Sequence, residues 1–388
     1  MTSKTRDIIL WIVVNMCRLL VSGTFVFSGM VKLIDPTGTQ YKIEDYFTAL
    51  GLATSADSLL PIVLAVVLAL LELCLGVYLF FGIRRRVTTH FLLAFMILYS
   101  PLTLWLAISN AVADCGCFGD AVKLTNWQTF WKNAALLVMT TIVWWRGNLL
   151  TRFISESAQW IISLYTILYG LFIAAIGLYL EPVMDFRPFH IGQHIPSAMA
   201  WPEDPSEQPE ILDFDIEGEI TADELLTDTS YVFLLISPYL EKADDSDFER
   251  INSTYDYARR HGYRFLSLTA SSPEVIRRWQ DLTGAEYPFA FMDELTLKTI
   301  ARRNPALVLL HGGTIVAKWP AAVIPDEAEL QAPLHALPLA HPQKENYQRS
   351  LLSLALWYIL PIITLTLIDR FIFSLRWWRR RHQTAKNT

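Results

Sequence analysis

The chain has 388 residues, of which 53% are hydrophobic and 18% charged, with a net charge of −6. Soluble proteins run at about 45–50% apolar and about 25% charged, so this composition excludes an ordinary soluble protein and predicts a membrane protein. The charge is split: residues 182–349 hold 14 Lys+Arg against 27 Asp+Glu, or −13, and the remainder holds 18 against 11, or +7. Two different solvents are expected around these two parts.

In chain order, apolar runs long enough for the roughly 20 residues that cross a bilayer occur at Ile8–Leu33, Leu59–Ile83, Val87–Ser109, Trp127–Trp145, Ala158–Leu180 and Leu351–Ile368. Six spans are therefore expected. The first run is long and lacks a small-residue cleavage site, which argues against a cleavable signal peptide. Lys4 and Arg6 precede span one, Arg84 to Arg86 follow span two, Arg146 and Arg152 follow span four, and Arg376 and Arg379 to Arg381 follow span six. All fall on one side, which by the positive-inside bias predicts cytoplasmic termini and puts loops 35–57 and 110–126 and the segment 182–349 outside. Trp144, Trp145, Trp377 and Trp378 at span ends read as interfacial anchors. Basic residues clustered at helix ends give no nucleic-acid-binding face, and the Arg376–Arg381 cluster suits anionic lipid heads.

The outer segment opens with a Pro-rich stretch, Pro182 to Pro209, and then shows strand-like runs at Tyr231–Ser237, Tyr263–Thr269 and Tyr287–Met292 with helical patterns at 243–261 and 272–283. This alternation predicts a parallel βαβ core. Asn304-Pro305 leads into Ala306–Leu310, Gly312-Gly313 makes a two-residue turn, and Thr314–Trp319 returns as a hairpin partner, followed by a helix near 326–336. The acidic run Asp244–Asp247 is expected to cap the helix after it.

That order resembles a thioredoxin-like domain over about 211–340. The resemblance implies a cis bond before Pro305, beside a groove that includes Ser237 and Pro238. Where that family has Cys-x-x-Cys, this chain reads Ser237-Pro238-Tyr239-Leu240, so no thiolate can attack a disulfide from there. All four cysteines lie before residue 118, and any thiol chemistry belongs to the membrane part.

The most informative string is Asp114-Cys115-Gly116-Cys117-Phe118-Gly119-Asp120, in the loop between spans three and four. With Arg18, Phe27-Ser28-Gly29, Lys32-Leu33 and Asp35-Pro36 in and after span one, it resembles the MauE branch of the DoxX-like membrane proteins over about 1–150. The resemblance implies a four-helix membrane core in a bacterial inner membrane, help in forming disulfides of a periplasmic client, and quinone-linked electron transfer. The expected domains are then 1–150, a fifth span over 151–181, the periplasmic segment 182–349, and a sixth span with basic tail over 350–388.

A Cys115–Cys117 disulfide is sterically accessible only in a bent backbone, which Gly116 permits. Strained, exposed disulfides are the exchangeable kind, so redox exchange stands beside a plain turn with packed cysteines and an incomplete metal set. Asp114 and Asp120 oppose thiolate formation unless a cation intervenes, and Lys123 is nearest in sequence. Within the membrane, the depths of Arg18 and Glu72 differ by about one turn, which predicts that they pair, as buried charges must. Cys17 and Cys74 flank that pair, but buried cysteines are usually packing residues. His90, His190, His194 and His311 show no metal-ligand spacing, and no metal is expected.

Three functions compete. One is a membrane thiol/disulfide oxidoreductase or accessory subunit acting on an extracytoplasmic protein client. The second is a non-enzymatic scaffold that tethers a redox-inactive binding domain. A transporter is weaker, because the spans show no repeat and no broken helix pair.

Overall fold

The computed structural model describes residues 3–52, 58–112, 115–203, 208–218, 220–341 and 347–384. The chain forms two units, Met1–Leu178 with Leu351–Thr388, and Tyr179–Ser350.

The first unit is helical: α1 (Ser3–Ile34), α2 (Pro36–Ala49), α3 (Leu60–Phe81), α4 (Arg85–Ser109), α5 (Asn126–Trp145), α6 (Gln159–Tyr179) and a C-terminal helix, Tyr347–Thr384. Among the described residues, five helices are long and apolar enough to cross a membrane, and α5 is not one of them. Its length suffices, but Asn126, Gln128, Lys132 and Asn133 make its first half polar. Five of the six expected spans are therefore matched by such a helix, and Trp127–Trp145 is not.

Helices α1 and α3 pack with their backbones in contact. A Cβ on Gly29 would lie 2.5 Å from the Leu73 nitrogen, and one on Gly76 would lie 2.8 Å from the Val26 nitrogen. Small residues permit such close approach where no solvent drives helices together. Helix α2, within the expected loop 35–57, starts where Asp35 accepts from the Gly38 N–H at 2.9 Å and Pro36 occupies the first turn. An Asx cap followed by proline is a helix-start signal that the loop reading passed over.

The second unit has α7 (Ile195–Met199), α8 (Ala222–Thr227), β1 (Tyr231–Ser237), α9 (Phe248–His261), β2 (Arg264–Thr269), α10 (Pro273–Thr283), β3 (Phe289–Phe291), α11 (Glu294–Ile300), β4 (Ala306–His311) and β5 (Thr314–Pro320). The sheet order is β3-β2-β1-β4-β5, with β1, β2 and β3 parallel and β4 and β5 antiparallel. Every residue of β1 is buried, because Phe233 and Leu235 enter the core under α9 and α10 while Val232, Leu234 and Ile236 enter the one under α8 and α11. A continuous apolar strand is what a sheet covered on both faces requires. The hairpin turn has φ +53° at Gly312 and +69° at Gly313, the left-handed pair that a two-residue turn matching strand twist needs.

Two local expectations are corrected. The helix near 326–336 is instead a chain of single 3₁₀ turns at Ala321–Val323, Leu334–Ala336 and Pro338–Ala340, since Pro325, Pro333 and Pro338 interrupt any longer helix. Asp247 stands at the start of α9 but makes no side-chain cap bond; Asp244 bonds the Ser246 N–H at 3.0 Å instead.

Candidate redox loop and its buried support

Gly116, at φ +64°, turns the chain back on itself, a conformation glycine takes without steric cost. The flanking residues thereby meet: Cys115 and Cys117 form a disulfide, with Cα atoms 5.4 Å apart, inside the range such bonds require. Both are buried, at 4% and 7% exposure. The loop is held from several sides. Tyr46 of α2 donates to the Cys115 carbonyl at 3.1 Å, and the Lys42 side chain lies over Gly116, where a Cβ would meet it at 2.9 Å. The Tyr99 hydroxyl of α4 stands 3.5 Å from Cys117 Sγ and 3.9 Å from Cys115 Sγ.

Beneath the loop lies a buried charge pair. Glu72 of α3 receives Lys32 Nζ at 2.7 and 2.8 Å, and the two residues are 3% and 2% exposed. Ser28, one turn below Lys32 on α1, donates to Glu72 Oε2 at 2.7 Å and to the Cys117 carbonyl at 2.6 Å, one hydroxyl shared between two acceptors. The disulfide loop is therefore hydrogen-bonded to an ion pair inside the bundle.

The expected Arg18–Glu72 pair does not form. Arg18 Nε donates to the Leu79 carbonyl at 2.9 Å, its Nη2 donates to the Phe80 carbonyl, and its guanidinium lies 4.6 Å from the Phe153 ring centroid. It satisfies the open carbonyls that end α3, the place a helix favours a cation. The crossing at Gly29 and Leu73 sets Glu72 level with Ser28 and Lys32, whereas Leu79 lies seven residues further along α3, about 10 Å at 1.5 Å per residue. Depth counted from run ends missed this register.

The other expected site residues are distributed as follows. Asp114 lies outside the described residues. Asp120 is the middle residue of a 3₁₀ turn, Gly119–Ala121, and is half-buried. Lys123 is exposed, and the cation over the loop is Lys132 of α5, whose Nζ is 4.0 Å from the Phe118 ring centroid. Cys17 and Cys74 are free thiols. In the second unit the Asn304–Pro305 bond is cis. Ser237 Oγ donates to Asn304 Oδ1 at 2.6 Å, and Asn304 Nδ2 donates to the Tyr239 carbonyl at 2.7 Å, so the Pro305 turn lies beside Ser237 and Pro238.

Two cavities meet at the disulfide. The smaller is lined by Cys115, Cys117, Val122 and Leu124 of the loop itself. The larger runs between α1, α3, α4 and α5 and is lined by Phe25, Glu72, Tyr99, Cys117, Phe118 and Asn133 among others. The sequence reading missed Lys32 as a partner of Glu72, and it missed Tyr99, Lys132 and Asn133. A lysine in an apolar run was the available signal, since such a charge needs a partner or a polar cavity.

Residues 7–146 match the family described as methylamine utilisation protein MauE. No curated protein and no solved structure matches the chain.

Proposed function

From the match of residues 7–146 to the MauE family, we propose that the protein is a membrane thiol/disulfide oxidoreductase, or the accessory subunit of one, acting on an extracytoplasmic protein client. The name of the matching family extends the proposal to methylamine-utilisation-related maturation. The observation that carries it is the Cys115–Cys117 disulfide lying between two cavities. A client thiolate attacks one loop sulfur, the Cys115–Cys117 bond breaks and a mixed disulfide forms; the client's second thiolate then resolves it. The client loses two electrons and becomes a disulfide, and the loop pair is left as two thiols. A quinone, the acceptor class the resemblance implies, would take up two electrons and two protons per cycle.

The reading includes six spans in an inner membrane, with α5 as the fourth, cytoplasmic termini and the second unit in the periplasm. Support comes from the Lys and Arg clusters and from Lys132 and Asn133 of α5 lying at the larger cavity. We read the second unit as thioredoxin-like, from its strand order and the cis Pro305 beside Ser237. Its lack of any cysteine favours one second reading, a tether that binds a client without chemistry.

The experiment is differential alkylation of freshly quenched cells, with and without a thiol reductant and with quinone reduction blocked. The proposal expects Cys115 and Cys117 to be partly oxidised and to shift with respiratory state. If both remain in one state throughout, and if both become serine without consequence for client disulfides, the tether reading replaces it.

A further inference from the structure

The two sulfurs of the disulfide have different surroundings. Cys117 lines the larger cavity of the first unit, with Tyr99, Lys132 and Asn133, whereas Cys115 lines the smaller cavity and not this one. The Tyr99 hydroxyl stands 3.5 Å from Cys117 Sγ and 3.9 Å from Cys115 Sγ. Asn133 is 3% exposed and its Nδ2 has no hydrogen-bond partner. Lys132 Nζ lies over the Phe118 ring and forms neither a hydrogen bond nor an ion pair among the described residues.

Buried donors are rarely retained without an acceptor, and the enclosed space here has room for about one water molecule. A larger ligand is excluded by size, so the acceptor that answers these donors belongs to the wall itself. Charge decides which group it is. Glu72 also lines the cavity, but Lys32 already matches it at 2.7 and 2.8 Å, which leaves the Lys132 ammonium without a counter-charge. Around the rest of the loop stand Lys42, whose aliphatic stem lies over Gly116, Tyr46, bonded to the Cys115 carbonyl, and half-buried Asp120. A single water satisfies the Asn133 amide but does not balance the ammonium. The wall group that gains a negative charge in the exchange is Cys117 Sγ, when the disulfide opens.

We propose that the two sulfurs have fixed roles: Cys115 bonds the client, and Cys117 leaves as a thiolate held by the Tyr99 hydroxyl, Asn133 Nδ2 and the Lys132 ammonium. The proposal rests on the redox reading of the loop and assigns its residues. A client thiolate attacks Cys115 Sγ, a client–Cys115 bond forms, and the Cys115–Cys117 bond breaks with its electron pair going to Cys117 Sγ. Exchange is faster when the better-stabilised thiolate is the one that leaves, and a neighbouring cation or donor supplies that stabilisation. The client's second thiolate then attacks the client sulfur of the mixed disulfide, the client disulfide forms, and Cys115 departs and takes a proton from water. Of the two thiols so left, Cys117 is the one kept ionised. Tyr99, in contact with both sulfurs, is the catalytic hydroxyl, while Lys132 and Asn133 supply the counter-charge and a second donor.

The test uses the purified full-length protein in lipid nanodiscs and two probes. Glutathione, a monothiol, is added to the oxidised protein, the reaction is quenched with acid, and peptide mass spectrometry locates the adduct. It should sit on Cys115 with Cys117 free; an adduct mainly on Cys117, or equally on both, overturns the assignment. In the reduced protein, alkylation of each cysteine by iodoacetamide is followed from about pH 5 to about pH 10, because the thiolate is the reacting form. The pH of half-maximal rate, which accessibility does not move, should be lower for Cys117 than for Cys115. Lys132→Met should raise the Cys117 value by about 1–2 pH units and Tyr99→Phe by less, with the Cys115 value unmoved, and Lys132→Arg should keep the wild-type profile. A Cys117 value that Lys132→Met leaves in place overturns the proposal. Thermal unfolding verifies that each variant is folded, and the glutathione measurement, made on wild type, decides if none is. The redox reading fails separately: cysteines that never change state in cells remove it while the fixed roles stand on these two measurements, and cycling cysteines with the adduct on Cys117 do the reverse.

Discussion

Replacing Lys32 by methionine removes the only cation hydrogen-bonded to the Glu72 carboxylate among the described residues and leaves that charge buried with one Ser28 bond. Breaking a buried pair from one side costs about 3–5 kcal/mol, because the remaining ion keeps its desolvation penalty without the compensating attraction. Glu72→Leu should cost a similar amount by orphaning Lys32. The double variant Lys32→Met/Glu72→Leu removes both charges, and such swaps are often close to neutral. The expected coupling between positions 32 and 72 is therefore at least about 2 kcal/mol, well beyond the about 0.3–0.5 kcal/mol within which independent sites add. Arg18→Met should also destabilise, by uncapping the Leu79 and Phe80 carbonyls, but additively with Glu72→Leu. Unfolding free energies from denaturant titration in mixed micelles give both cycles. Additivity at 32/72 together with strong coupling at 18/72 would refute the register that sets Glu72 beside Lys32.

Two further outcomes follow from the packing and the charges. Gly29→Leu should prevent α1 and α3 from closing, since even a Cβ there stands 2.5 Å from backbone. The expected loss exceeds the about 1–3 kcal/mol of ordinary overpacking, read as a lowered thermal midpoint and yield, and a normal midpoint would show that the helices do not touch at this glycine. In the second unit, Asp185 accepts from Arg187 Nε at 2.6 Å and Lys318 Nζ at 2.9 Å. Burial pushes its carboxyl up, but the charges of Lys318 and Arg187 outweigh that and hold it well below its ordinary value of 3.8. A depressed folded-state pKa contributes stability that is present above about pH 4 and is lost as pH falls below it. Asp185→Asn should thus destabilise the full-length protein at pH 7 by about 3–5 kcal/mol, with the gap from wild type narrowing between pH 4 and pH 2. A gap independent of pH would mean that this carboxylate is not held by its two cations.

Much of this protein is set by order along the chain. Runs of apolar residues about 20 long must be helices wherever water is absent, and their ends were legible to within a few residues from Ile8 to Leu180. The strands of the second unit were legible for a related reason: β1 is apolar without alternation because both of its faces are covered, and Gly312-Gly313 permits one tight turn. The Cys115-Gly116-Cys117 string announced a bend and a pair of sulfurs through residue type alone.

Tertiary structure decided what faces what. Lys32 rather than Arg18 meets Glu72 because Gly29 and Gly76 let α1 and α3 touch at one register, which leaves Arg18, about four turns further down α1, at the far end of α3. Trp127–Trp145 read as an apolar span, whereas Lys132 and Asn133 of that helix, α5, line the cavity beside the disulfide. Periodicity fixes a residue's face on its own helix, but the partner across the gap depends on the axial offset between helices, which is set by packing contacts distant in sequence.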